Sequence, residues 1–180
     1  MKSDNLKEVL RKVKKGDSIA QKQLYDTYRV YLFGVANCYA NSKKEAEDIL
    51  LEGFYRIFKD ISSYDGSGNL AAWMRRVMVN SALMHLRKYR KWTKLSTQIN
   101  EATLNVPDEI DISSYERADF ILAVIRSLPE PQRIIFTLKA IEGYSYQEIS
   151  EKLGMKESTL RSHYSRTRKK LQLILQKELD

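Results

Sequence analysis

The residues with the clearest chemical capacity are Ser158, Arg161, Ser162, Ser165, Arg166 and Lys169, which recur at helical spacing as one polar and cationic face. Guanidinium forks and hydroxyls in that arrangement suit base edges in a DNA groove, and the cations suit phosphates. The residues just before them supply the means to hold such a face. Ser145 and Glu148 have capping-box spacing, so a short helix is predicted from Tyr146 to Leu153. Gly154 is the residue most easily held at positive φ for a tight turn. Leu160, Tyr164, Thr167, Leu171 and Ile174 then return every three or four positions as the buried stripe of a second helix. Short helix, glycine turn and polar-faced helix predict a helix-turn-helix.

Other chemistry is poorly served by this chain. Asp48 and Glu52 stand one helical turn apart, as an acid-base pair would, but no nucleophile partners them and no glycine-rich phosphate loop is present. They are read as an exposed helix face, and the chain is not expected to be an enzyme. Cys38 is the only cysteine, while His85 and His163 are far apart and lack neighbouring ligands at helical spacing. No metal or other cofactor is expected, and both histidines are read as surface or groove polar groups. A single cysteine suits a reducing compartment. No apolar run approaches membrane-spanning length, and the opening MKSDNLKEVLRK lacks a signal-peptide core. The expectation is a cytoplasmic protein without stable membrane insertion.

The elements that must position the cationic face are all helical. Only 7 Gly and 3 Pro interrupt 180 residues, and apolar residues mostly return every three or four positions. A first helix is predicted after Ser3, burying Leu6, Val9, Leu10 and Val13 and ending at Gly16. Asp17 caps a second, which runs through Tyr25, Tyr28, Tyr31, Leu32 and Val35 to about Tyr39 as the aromatic centre of a core. Ser42 and Glu45 are expected to form another capping box and open a third, with Ala46, Ile49, Leu50, Ile57 and Phe58 as its buried stripe. The sequence SSYDGSGN, Ser62 to Asn69, reads as a loop whose last residue caps a long basic helix from Leu70 to Tyr89. That helix carries Arg75, Arg76, Arg87 and Lys88, with Arg90 just beyond, beside Trp73, Val77, Leu83 and Leu86, and Trp73 is read as core.

Residues 93–114 lose the apolar stripe and gather Pro107 with Glu101, Asp108, Glu109 and Asp111, the composition of a linker. Periodicity resumes at Ala118, Ile121, Leu122 and Ile125; Pro131 suits a first helical turn, and Gly143 closes that helix. The expectation is an all-α chain of two small helical domains, 1–92 and 115–180, joined by the linker 93–114. A hydrophobic content of 43% suits two small cores, and a formal net charge of +8 suggests a polyanionic partner.

These segments resemble a known family over nearly the whole chain. LPEPQRIIFTLKAIEGYSYQEISEKLGMKESTLRSHYSRTRKKL, from Leu128 to Leu171, is similar to region 4 of bacterial sigma factors of the extracytoplasmic-function type. AEDILLEGFYRIF, from Ala46 to Phe58, resembles region 2.2, and AAWMRRVMVNSALMHLRKYR, from Ala71 to Arg90, resembles regions 2.3 and 2.4. The family commonly has Gln at the position of Leu51, Leu at Met74, Asp at Met84 and Ser at Lys156.

The resemblance implies a subunit that directs core RNA polymerase to promoters. Lys156, Glu157, Ser158, Arg161, Ser162 and Arg166 would face the minus-35 element, with Arg161 the first candidate for reading a base. Asn80, Arg76, Arg87 and Lys88 would meet the minus-10 element, and Ser63, Tyr64 and Asn69 of the loop would capture a base flipped from the opened strand. Asp48, Leu51, Glu52 and Phe54 would dock on the clamp helices of the largest catalytic subunit, with Phe54 at the edge of a polar face. The acidic linker would follow the cationic channel of the polymerase. The resemblance further implies an anti-sigma partner. Without it, the residues also fit a stand-alone helix-turn-helix regulator that binds an operator unaided.

Overall fold

In the computed structural model, which describes residues 3–89 and 117–177, every regular element is helical and the chain divides into two compact units on either side of residue 90. The linker expected over 93–114 lies outside the described residues, as do Arg90 and the side chains of Ala118 and Ile121.

Local capping sets the first unit. Its helices are α1 (Ser3–Lys14), α2 (Ser18–Asn37), α3 (Lys43–Asp60) and α4 (Leu70–Tyr89), with a single 3-10 turn at Ile61–Ser63. Asp17 Oδ1 accepts the Ala20 amide at 2.7 Å, and Ser42 Oγ accepts the Glu45 amide at 3.1 Å. Such caps contribute about 1 kcal/mol each. The Glu45 carboxylate returns to the amide of Asn41 at 2.7 Å, one residue earlier than a capping box requires.

Helices α2, α3 and α4 pack against one another, and α1 lies on α2. Their shared core holds Leu24, Leu32 and Val35 from α2, Ile49, Phe54 and Ile57 from α3, and Met74, Met78 and Leu86 from α4. Each fully buried aliphatic side chain contributes about 1.5–3 kcal/mol. The aromatic centre expected of α2 is corrected here. Tyr31 is 42% exposed while Tyr25 and Tyr28 are half-buried, because the inward stripe runs through the aliphatics and leaves the phenols near water. Tyr39, beyond the helix end, is the tyrosine fully inside. Leu6 and Leu10 are half-buried, so Val9 and Val13 anchor α1.

On α3 the stripe passes through Gly53 and Phe54, with Phe58 only half-buried. A Cβ added at Gly53 would overlap Sδ and Cε of Met78, which is itself wholly buried. The glycine therefore lets α4 approach α3 closely.

The second unit comprises α5 (Arg117–Ser127), α6 (Glu130–Phe136), a π turn at Thr137–Ile141, α7 (Tyr146–Leu153) and α8 (Glu157–Lys177). Pro131 sits in the first turn of α6, where its missing amide costs no helical hydrogen bond. The π turn was not foreseen, since apolar spacing does not distinguish five-residue from four-residue hydrogen bonding. Val124, Leu128 and Leu171 cluster with Phe136 and Ile174, and Ile134, Ile149, Leu153 and Leu160 are buried under the helix-turn-helix. Arg133, 2% exposed, donates Nη1 to the Arg126 carbonyl at 3.2 Å.

Candidate nucleic-acid interface

The turn between α7 and α8 is fixed by hydrogen bonds at both ends. Ser145 Oγ accepts the Glu148 amide at 3.1 Å while the Glu148 carboxylate accepts the Ser145 amide at 2.7 Å, completing the capping box. Gly154 is left-handed at φ 67° and ψ 25°, its amide donating to Ser150 O at 2.8 Å. A side chain in that conformation costs roughly 1–2 kcal/mol. Ser150 Oγ donates to Met155 O at 2.6 Å and closes the turn.

Helix α8 then separates two faces. Leu160, His163, Thr167 and Leu171 point into the unit, whereas Ser158, Arg161, Ser162, Ser165, Arg166 and Lys169 are exposed along one side. Lys156, exposed, precedes the helix and accepts the Leu160 amide through its carbonyl at 3.1 Å. Glu157 is half-buried, and its Oε2 accepts Arg161 Nη2 at 3.1 Å. The Arg161 guanidinium also lies 4.3 Å from the centre of the Tyr146 ring.

In the first unit, exposed positions of α4 at Arg76, Asn80, Met84, Arg87 and Lys88 form a ridge. Its N-terminal end enters a cleft of about 410 Å³ lined by Ser63, Tyr64, Asp65, Ser67, Asn69, Ala72, Trp73 and Arg76. The wall of this cleft is well braced. Lys14 Nζ donates to Tyr64 O at 2.6 Å, Tyr64 Oη donates to Gly68 O at 2.9 Å, and Asn69 Oδ1 accepts the Ala71 amide at 2.8 Å. Hydrogen bonds from the Ser67 hydroxyl and amide hold the Asp65 carboxyl below the usual carboxylate range. Tyr64 is 6% exposed and Asn69 spends its side chain on the helix cap, so both shape the cleft, while Ser63, Asp65 and Ser67 are open to solvent. Trp73, expected in the core, is half-buried against Tyr64 with ring centres 5.7 Å apart.

The third candidate group is split by the structure. Asp48 is exposed and Leu51 is 59% exposed on α3. Phe54 is not at the edge of that face: at 3% exposure it packs on Tyr25, ring centres 4.6 Å apart, because it falls on the inward stripe. The ring presented there is Tyr55, 70% exposed and absent from the expected docking group. A cleft of about 450 Å³ adjoins this face, lined by Tyr25, Val30, Phe33, Leu50 and Leu51 together with Arg29, Lys43 and Glu47.

Both histidines depart from the surface role expected of them. His85 is buried on α4, with Nδ1 3.3 Å from Glu52 Oε1 and Nε2 3.8 Å from Glu45 Oε1, so Glu52 faces α4 as well as solvent. His163 is buried beneath the recognition face; desolvation, then repulsion from Arg166, lowers its pKa. The unfolded chain thus takes up a proton near pH 6.5 that the folded unit accepts only at lower pH, so stability fully present above that value is lost as pH falls from it through the lower folded-state pKa. The urea midpoint of the second unit's transition is expected to drop between pH 7 and pH 5, by less in His163→Leu. An equal drop in the variant would assign the loss to other groups.

Among the described residues, no group of three or more His, Cys, Asp or Glu side chains is placed to hold a metal ion. No described helix is long and apolar enough to cross a membrane.

Two family models match the chain in order, Sigma-70 region 2 over residues 24–93 and Sigma-70, region 4 over residues 121–171. The chain is 28% identical over 179 residues to the RNA polymerase sigma-H factor of Pseudomonas aeruginosa, covering 94% of this chain and 93% of that relative. It is 27% identical over 176 residues to the ECF RNA polymerase sigma factor SigW of Bacillus subtilis, covering 92% and 94%. A solved structure of the sigma factor RpoE with the anti-sigma factor NepR from Bartonella quintana aligns over 86% of this chain and 96% of that one, at 21% identity and a TM-score of 0.48.

A helix-turn-helix unit preceded by a helical unit with its own cationic ridge defines a DNA-binding transcription factor. The chain belongs to the sigma-70 family, as an RNA polymerase sigma factor of the extracytoplasmic-function type. Its partners are therefore core RNA polymerase and promoter DNA. A stand-alone regulator would account for the region 4 match and leave residues 24–93 unexplained.

Proposed function

We propose that promoter recognition is divided between the two units, with domains at 1–92 and 115–180 and a tether over 93–114. In this reading the α8 face, with Lys156, Glu157, Ser158, Arg161, Ser162 and Arg166, enters the major groove at the minus-35 element. The α4 ridge of Arg76, Asn80, Arg87 and Lys88 follows the minus-10 element. The cleft bounded by Ser63, Tyr64 and Asn69 receives a base from the opened strand, and the half-buried Trp73 in its wall offers the base a stacking surface. Asp48, Leu51 and Glu52 dock on the polymerase clamp helices, and the buried Phe54 takes no direct part.

The observation that carries the first unit's share in this division is the continuity of cleft and ridge. Arg76 belongs to both, so a strand tracking the cations of α4 arrives at an open cleft of about 410 Å³, with room to admit a nucleobase. Unstacking a base costs a few kcal/mol, which polar and aromatic contacts in such a cavity offset. Engagement of both units at once makes the spacing between promoter elements a selectivity filter. The protein contributes no catalysis of its own, acts in the cytoplasm where polymerase works, and is held in check by an anti-sigma partner, as its family implies.

The docking face is tested by Asp48→Arg. Because Asp48 is exposed, the melting curve is expected to stay in place while affinity for core polymerase falls about tenfold, the scale of one central interface residue. Unchanged affinity with a normal melting curve would move the docking face elsewhere.

A further inference from the structure

Two cations converge on the Tyr146 ring: Arg161 Cζ lies 4.3 Å from its centre and Lys139 Nζ 4.8 Å. Tyr146 is the first residue of α7 and meets Tyr164 of α8 edge-on, ring centres 6.2 Å apart; Tyr164 stacks in turn on Phe136 at 6.0 Å. The ring is thus anchored by aromatic packing and half-buried, whereas Arg161 is long and 61% exposed. An exposed arginine on a helix surface samples many rotamers, and immobilising it on DNA has an entropic penalty. A guanidinium against an aromatic face keeps its N–H edge available, because the ring takes the face and the five donors lie in the plane. In the free protein that edge is taken by Glu157 at 3.1 Å.

We infer that Tyr146 is a specificity-determining residue that acts through Arg161, holding the guanidinium plane so that its donor edge exchanges Glu157 for a base in the groove. The inference rests on the reading of Arg161 as a base contact. Tyr146 is here a positioning residue, placed on the first helix of the motif while the contact it sets is made from the second. Glu157 keeps the fork paired until DNA supplies acceptors in its place. A cation–π contact at an exposed site corresponds to about a two- to fivefold effect, so Tyr146 tunes discrimination more than it creates binding.

The test uses the full chain with core polymerase and promoters randomised in the upstream element, scored by run-off RNA for wild type, Tyr146→Phe, Tyr146→Leu, Arg161→Ala and the double variant Tyr146→Leu with Arg161→Ala. Tyr146→Leu is expected to weaken discrimination about two- to fivefold at the position relaxed by Arg161→Ala, with Tyr146→Phe close to wild type and the double variant no worse than Arg161→Ala. A uniform loss across sequences, or a double variant showing both losses in full, would make the ring a mere packing element and overturn the inference. If Arg161→Ala leaves every base preference intact, the base-contact reading itself fails, and the inference with it. A measurement on the unaltered protein guards against a misfolded leucine variant. The Arg161 side-chain protons should show an upfield ring-current shift in the wild type and in Tyr146→Phe, and its absence from the wild type would equally overturn the inference.

Discussion

Replacing Arg161 with alanine is expected to relax base preference at one or two positions of the upstream promoter element by about ten- to a hundredfold, the scale of a lost bidentate contact. The side chain is exposed on the outward face of α8, and its guanidinium already makes the kind of edge contact with Glu157 that a guanine would take over. Removing it leaves Glu157 facing DNA unneutralised, so a smaller uniform loss accompanies the specific one. Stability should barely change, because an exposed i,i+4 ion pair contributes only about 0.3–0.5 kcal/mol. The measurement is run-off transcription from a library varied in that element. A loss spread evenly over all sequences would identify Arg161 as a phosphate contact.

Gly53→Leu is expected to destabilise the first unit by about 2–3 kcal/mol, as overpacking of a filled core does, which lowers its melting temperature by roughly 10–20 °C. A Cβ at this position already meets the end of Met78, and the branch of a leucine would have to displace that side chain from a place with no solvent access. Gly53→Ala should be milder, since alanine regains up to about 1 kcal/mol of helix propensity. Combining Gly53→Leu with Met78→Ala should recover part of the loss. The consequence reaches the site, because Met78 is two residues from Asn80 and the close approach sets the depth of the α4 ridge relative to α3. Thermal unfolding followed by circular dichroism would show it, and a wild-type transition in Gly53→Leu would mean that Met78 has an unoccupied space to enter.

What the sequence made legible was local in its physics. Asp17, Ser42, Ser145 and Gly154 cap or turn the chain through atoms within five residues of themselves, as type and spacing predicted, except that Glu45 closes on the Asn41 amide and leaves the box expected at Ser42 half made. The outward face of α8 was readable because helical period alone sorts Arg161, Ser162 and Arg166 from Leu160 and Thr167. The misreadings came from letting residue type outweigh register. His163 is three residues from Leu160 and four from Thr167, both buried, so the period placed it inside although histidine is commonly a surface residue. Phe54 lies four residues from Leu50 and three from Ile57, and the same rule excluded it from an exposed edge. Other features depend on contacts between elements and left no local signal. The bracketing of His85 by Glu45 and Glu52, the overlap of Gly53 with Met78, the cleft walled by Trp73 and the Tyr146–Arg161 contact are of this kind.

In the proposed division, the two cationic faces direct a polymerase rather than act alone. Purified protein should be combined with core RNA polymerase and a library of promoters, and run-off RNA counted with and without it. Specific transcripts are expected only when both are present, from templates sharing two elements at a fixed spacing, with weak binding of the free protein to the same DNA. Tight sequence-specific binding by the free protein, with no core-dependent transcripts, would contradict that division.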